Sequence, residues 1–131
     1  MWKVELEYIV DWLDNLDTET IAKIFASLKR LEQEGPNLGR PLADTLSGAR
    51  VKNLKELRPA SPKGSEIRII FAFDPLRNAV MLLGGDKAKG KNGKTKWSEW
   101  YKRASPKAET IYFDHLEKLR SRNEQLGRIS G

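Results

Sequence analysis

The spacing of hydrophobic and polar positions along the chain predicts its elements. Trp2-Lys3-Val4-Glu5-Leu6 alternates apolar and polar side chains, the pattern of a short half-buried strand. Tyr8, Ile9, Trp12, Leu13 and Leu16 then recur at helical spacing, which predicts a first helix from Tyr8 to about Asn15. Asp17 is placed to cap a second helix, whose apolar stripe is Ile21, Ile24, Phe25, Leu28 and Leu31. Gly35-Pro36 ends it, because glycine accepts the left-handed cap and proline cannot continue the ladder. Residues 35–50 carry glycines and prolines without periodicity and read as a crossing loop.

Three strand candidates follow, at Val51–Arg58, Ser65–Phe73 and Ala79–Leu83. The second is the clearest. Ile67, Ile69, Phe71 and Phe73 face one way, and Glu66, Arg68, Ile70 and Ala72 the other. Pro59 to Gly64 and Asp74 to Asn78 are the turns between the strands, and Gly84-Gly85-Asp86-Lys87 closes the third. The lysine- and glycine-rich stretch Lys87–Lys96 has no apolar anchor and reads as a mobile loop. Trp97, Trp100 and Tyr101 begin a short helical piece. Ser105 then caps a last helix with Pro106 at its first position, and Ala108, Ile111, Tyr112, His115, Leu116 and Leu119 form its stripe. The tail after Arg122 reads as frayed. The expected class is α+β: two N-terminal helices packed on a small antiparallel sheet, with a C-terminal helix added.

At 131 residues the chain suits one domain spanning 1–131, long enough to bury roughly two-thirds of its unfolded surface. It has no cysteine and one histidine, His115, which excludes disulfides, thiolate sites, cysteine nucleophiles and multi-histidine zinc sites. No cofactor and no metal are expected. No apolar run approaches the ~20 residues of a membrane span, and the acidic start does not read as a signal peptide. A soluble, cytoplasmic protein with no membrane partner is expected.

The net charge of +6 is unevenly placed. Residues 1–34 carry 4 basic and 8 acidic side chains, residues 50–68 carry 6 and 2, and residues 84–107 carry 8 and 2. Two basic blocks of this kind point to a polyanion, bound through phosphate neutralisation and counterion release. Lys52, Lys55, Arg58, Arg68 and Lys87 lie in or beside the three strands, where a cation must find solvent, a carboxylate or a ligand. Pairing with Glu56 or Glu66 across strands is the plain alternative. If the helices cover one side of the sheet, these cations line its open side and suit a phosphodiester whose transition state gains negative charge. Around them, Lys89, Lys91, Lys94, Lys96, Lys102 and Arg103 are candidate RNA contacts, and Trp97 or Trp100 a stacking platform. His115 lies on an apolar stripe and reads as a core-edge histidine bonded to a neighbour, with no catalytic role.

Leu54-Lys55-Glu56-Leu57-Arg58-Pro59, Ser65 to Asp74, Leu83-Gly84-Gly85-Asp86-Lys87, Trp100-Tyr101 and Tyr112-Phe113-Asp114-His115-Leu116 occur in that order. Together they resemble the phage-derived, HigB-like branch of the RelE/ParE toxin superfamily, over about residues 2 to 119. The resemblance implies a RelE-like fold and the toxin of a type II toxin–antitoxin pair. It further implies a metal-independent endoribonuclease that cuts messenger RNA on the ribosome, and a helix-turn-helix antitoxin as partner. By position it assigns catalysis to Lys55, Arg58, Arg68, Lys87 and Tyr101. The histidine acid and base of some HigB proteins have no counterpart here. A basic RNA- or ribosome-binding module that does not cleave, or a ParE-like toxin acting on a target such as gyrase, is the alternative.

Overall fold

The computed structural model describes residues 1–46, 49–51, 53–62, 64–88 and 96–130, the last segment by backbone alone at 96–98 and 125–130. Its elements are β1 (Lys3–Glu5), α1 (Val10–Asp14), α2 (Thr18–Glu34), β2 (Ala43–Thr45), β3 (Lys55–Leu57), β4 (Ile67–Phe73), β5 (Asn78–Asp86) and α3 (Lys96–Ser130), with a 3₁₀ turn at Gly35–Asn37. The five strands form one sheet in the order β1-β5-β4-β3-β2.

The α+β class is present, and the sheet is mixed rather than antiparallel. β2 to β5 pair antiparallel in sequence, while β1 runs parallel to β5 with Val4 opposite Ala79. β2 lies inside the expected crossing loop. Only three residues long, it has too few positions to show a period of two. β3 keeps three of the eight residues expected of it, and β5 runs on through Gly84-Gly85 to Asp86.

The glycine pair does not end that strand; it lets both layers approach it. A side chain on Gly84 would collide with the indole of Trp12, and one on Gly85 with the indole of Trp100. Each glycine seats a tryptophan from the opposite face of the sheet.

α2 starts where Asp17 accepts a hydrogen bond from the Thr20 amide at 3.0 Å and ends at Gly35, whose φ of +55° places it in the left-handed region. Its buried residues are Thr20, Ile24, Ser27, Leu28 and Leu31, whereas Phe25, expected on the stripe, is exposed. α1 and α2 cover one face of the sheet, against Leu57, Ile67, Ile69, Phe71, Ala79 and Met81. α1 is a single turn and α2 a long helix, so the opening pair is unequal.

The other face is not open. α3 is one continuous helix of 35 residues with Pro106 inside it, so Ser105 is not a cap. Trp100, Ala104, Ala108 and Tyr112, four residues apart, pack on Ile70, Ala72, Val80 and Leu82. The two alanines bring the helix axis close to the strands. Pro106 is exposed, so the carbonyl it leaves unpaired faces solvent, and the packing carries the helix across it. The sheet is therefore buried between two helical layers. Among the described residues no helix is long and apolar enough to cross a membrane.

Candidate active site

The cationic residues on the sheet do not line a free face. They gather at one end of it, where the first turns of α3 overhang β3, β4 and β5, around one buried carboxylate. Glu56 stands on β3 opposite Ile70, so strand alternation turns it toward α3, and it is 2% exposed. Its Oε1 accepts from Arg58 Nε at 2.8 Å, and Arg68 Nε lies 3.4 Å from the same atom. Tyr101, on α3, stands close enough to Glu56 for that carboxylate to raise its phenol. Burying a carboxylate costs several kcal/mol per ion unless it is paired, and two guanidiniums supply the pairing here.

Arg68 is buried too, with 15% of its side chain exposed. It stands opposite Gly85, whose missing side chain leaves room for the Trp100 indole. Its NH1 donates to the Ile67 carbonyl at 2.8 Å and its NH2 lies 3.8 Å from Glu66. Arg68 Nε is buried without an aligned hydrogen-bond acceptor. Lys87 completes the group, 3.7 Å from Glu66 and 3.5 Å from the Tyr101 hydroxyl, with its Nζ 5.5 Å from the centre of that ring.

On the outer side, Asp44 of β2 stands opposite Glu56 and holds Arg40 at 2.8 Å and Arg58 at 3.5 Å. Arg40, Asp44, Glu56, Arg58, Lys87 and Tyr101 line an open cleft of about 490 Å³, together with Thr45 and Leu46. Four cations (Arg40, Arg58, Arg68, Lys87) face three carboxylates (Asp44, Glu56, Glu66), an excess of one positive charge among the described residues. One phosphodiester would balance it.

The surroundings shift these groups in opposite directions. Burial, then the Glu56 carboxylate, pushes the Tyr101 phenol well above its ordinary range, so it keeps its proton at neutral pH. Burial, then the neighbouring Arg68 charge, pulls the Lys87 ammonium below its usual value. The hydrogen bond to Glu56 raises Arg58 further above an already high value. A protonated phenol thus stands beside an ammonium that gives up its proton more readily than usual.

Of the expected catalytic residues, Arg58, Arg68, Lys87 and Tyr101 come together. Lys55 does not: it pairs with Phe71, on the face covered by α1 and α2. Lys102 and Arg103 are exposed one turn along α3, on its outer side. Trp100 is core, packed on Gly85. Lys52, Lys89, Lys91 and Lys94 lie outside the described residues, and the side chains of Lys96 and Trp97 are not described. Glu56, Asp44, Glu66 and Arg40 were not singled out as site residues from the sequence. A carboxylate two residues from Leu54, on the inward side of a strand, was the available signal for Glu56.

With this geometry in place, comparison with known proteins assigns the family. The family model described as "Phage derived protein Gp49-like" matches residues 11–112, and the chain belongs to that family. It is 47% identical over 115 residues to the Mycobacterium tuberculosis protein named "Putative toxin HigB2", covering 88% of this chain and 54% of that one. It is 42% identical over 104 residues to "Putative toxin HigB3" of the same organism, covering 79% of this chain and 83% of that one. The chain thus spans about half the length of the first relative and most of the second.

Proposed function

We propose that this protein is the toxin of a type II toxin–antitoxin pair and a metal-independent endoribonuclease that cuts messenger RNA on the ribosome. The observation that carries this reading is the buried Glu56, which gathers Arg58, Arg68 and Tyr101 beside Lys87 at the wall of an open cleft. The two relatives named as toxins support it. Glu56 acts as a positioning residue that fixes both guanidinium planes, so no reorganisation is needed when charge develops on the phosphate.

Arg58, at the cleft wall, holds the scissile phosphate, and Arg68, buried behind it against Glu56, adds a second positive charge close by. O2′ attacks the adjacent phosphorus, the P–O5′ bond breaks, and the products carry a 2′,3′-cyclic phosphate and a 5′-hydroxyl. The neutral form of Lys87 takes the O2′ proton. Tyr101 donates a proton to O5′ and recovers one from Lys87 across the 3.5 Å between them. The partner of such a toxin is a small helix-turn-helix antitoxin that covers the cleft, and co-expression with it should rescue growth.

The test is the chemistry of the ends. RNA cleaved by the protein should carry 2′,3′-cyclic or 3′-phosphate ends, and a single 2′-deoxy substitution at the scissile nucleotide should abolish the cut. Cleavage of single-stranded RNA should survive excess EDTA. Products with 5′-phosphates, or unimpaired cutting of the 2′-deoxy substrate, would overturn the mechanism.

A further inference from the structure

A second cleft, of about 650 Å³, abuts the first, and Arg40 and Arg58 line both. The ridge between the clefts is the Asp44 bridge, in which one carboxylate holds Arg40 at 2.8 Å and Arg58 at 3.5 Å. Beyond the ridge lie Leu38, Leu42 and Ala60, and Arg30 on the last turns of α2. Leu38 is buried and Leu42 partly so, which gives the cleft an apolar floor under cationic walls. Three arginines line it, against Glu34 within the cleft and Asp44 on the ridge, which Arg40 and Arg58 share.

We propose that this second cleft is a nucleotide subsite, seating the nucleotide next to the scissile one with its base on the Leu38–Leu42 floor and its phosphate between Arg30 and Arg40. The proposal rests on the ribonuclease reading above and adds a direction to it: the RNA strand leaves the Tyr101–Lys87 end, crosses the Asp44 ridge and runs toward the end of α2. An apolar floor with charges at its rim matches a nucleotide, which is flat and apolar on one side and anionic on the other. Both arginines are available. Arg30 is held only by an exposed i,i+4 pair with Glu34, and Arg40 is 78% exposed, so exchanging either contact for a phosphate costs little. Arg58 faces both clefts, so one guanidinium touches consecutive phosphates and ties binding beyond the ridge to the position of the scissile bond.

Calorimetric titration with fully 2′-O-methylated RNA, which lacks the attacking hydroxyl, separates the two clefts. A dinucleotide should bind the first cleft. Extension by two nucleotides on one end only, 5′ or 3′, should tighten binding by about tenfold, the scale of one added base and phosphate contact. Arg30→Glu and, on the opposite wall, Ala60→Glu should each remove that gain and leave the dinucleotide affinity unchanged. Both positions are at the surface, and circular dichroism should show both variants folded. A gain that persists in both variants, or that is the same for either end, overturns the subsite while the ribonuclease reading stands. Failure of the wild-type protein to bind any of the oligonucleotides overturns both. Equal tightening by a hexaglutamate peptide, lost in Arg30→Glu, overturns the nucleotide subsite in favour of an acidic protein partner.

Discussion

Two buried carboxylates sit under α3, one toward each end of its contact with the sheet, and they are treated in opposite ways. Asp74, in the β4–β5 turn, is satisfied completely. Its Oδ1 accepts from the amides of Leu76 and Asn78 at 3.0 and 2.9 Å, and its Oδ2 accepts from His115 Nε2 at 2.8 Å. The Tyr8 hydroxyl donates to His115 Nδ1 at 2.8 Å, which closes the chain of bonds. Two backbone amides close the turn on itself, and the two bonds through His115 join segments distant in sequence: the N-terminus, a hairpin turn and α3. Glu56, by contrast, is held by two guanidiniums, beside a phenol, a buried Arg68 nitrogen without an aligned acceptor and an open cleft. A closed network rigidifies a fold; a partly satisfied one with excess charge facing solvent leaves capacity for a ligand. The single histidine of the chain belongs to the first kind, which accords with its place on the apolar stripe.

The sharpest test exchanges the two sites. Lys87→Ala should lower the single-turnover cleavage rate about 10²–10³-fold, the loss typical of one preorganised transition-state group. Its urea midpoint should move less than that of His115→Ala, because Lys87, although only 15% exposed, lines the cleft and its carboxylate neighbour Glu66 is 36% exposed. His115→Ala should do the reverse. It leaves the buried Asp74 Oδ2 without its donor and takes one partner from the Tyr8 hydroxyl, so it should cost about 1–3 kcal/mol, and cleavage per folded molecule should stay near wild type. Arg68→Lys is the informative variant between them, since it keeps a charge beside Glu56 and removes the planar fork. Arg68→Ala would confound rate with folding, because Arg68 is buried against Glu56 rather than turned to solvent as the alternation alone implies. If His115→Ala abolishes cleavage while folded, the division between a structural and a reactive cluster is wrong.

The positions that sequence made legible are those where a local signal and the tertiary outcome agree. Ile67 to Phe73 alternates because one side packs on α1–α2 and the other on α3 and Glu56. Asp17 and Gly35 cap α2 through contacts with their own neighbours. The misreadings share a cause. Ser105-Pro106 is a sound local start signal, but Trp100, Ala104, Ala108 and Tyr112 pack continuously on the sheet and override it. Gly84-Gly85 looks like a turn until two indoles, one from α1 and one from α3, are seen against it. Glu56 was hidden because its role is defined by Arg68, 12 residues on, and Tyr101, 45 residues on. Once α3 is known to cover the second face, the sheet's polar residues must either lie at its end or be paired beneath it. The structure does both.

A smaller effect tests where polyanion affinity resides. Each neutralised phosphate of a single strand contributes a slope of about −0.7 in log affinity against log salt. Replacing Lys89, Lys91, Lys94 and Lys96 together with glutamine should flatten that slope by about 3 if all four meet phosphates. Lys102→Gln with Arg103→Gln, on the same end of α3, should flatten it by about 1.4. Lys118→Gln should change nothing, because Lys118 lies at the Asp74 end, over the Tyr8 ring and beside Glu7. Equal loss from all three would mean that charge acts without regard to place.

The smallest effect separates the two clusters by alkaline titration. Tyr101 is raised chiefly by burial and then by the Glu56 carboxylate, and Tyr8 is raised chiefly by burial, both from an ordinary value of 10.0. Above that value the unfolded chain releases phenolic protons that the folded chain keeps, so the folded state binds more protons and stability falls as pH rises. Lys87 acts with the opposite sign. Its ammonium is lowered from 10.5, so just below that pH the unfolded chain binds the extra proton, and stability rises with pH until both states are neutral. The Glu56 cluster contains one group of each sign, whereas the shifted groups toward Asp74, Tyr8 and Tyr112, are both raised chiefly by burial. Urea midpoints between about pH 8 and 12 should therefore decline in the wild type once the tyrosines begin to ionise. Tyr101→Phe should flatten the decline more than Tyr8→Phe, because Tyr101 is the more deeply buried phenol and carries the larger shift. Tyr101→Phe should also expose the rise from Lys87 below 10.5, and combining it with Lys87→Met should remove that rise. A steeper decline in Tyr101→Phe than in the wild type would show that Tyr101 is not held protonated beneath α3, and the proton relay with Lys87 would fall with it.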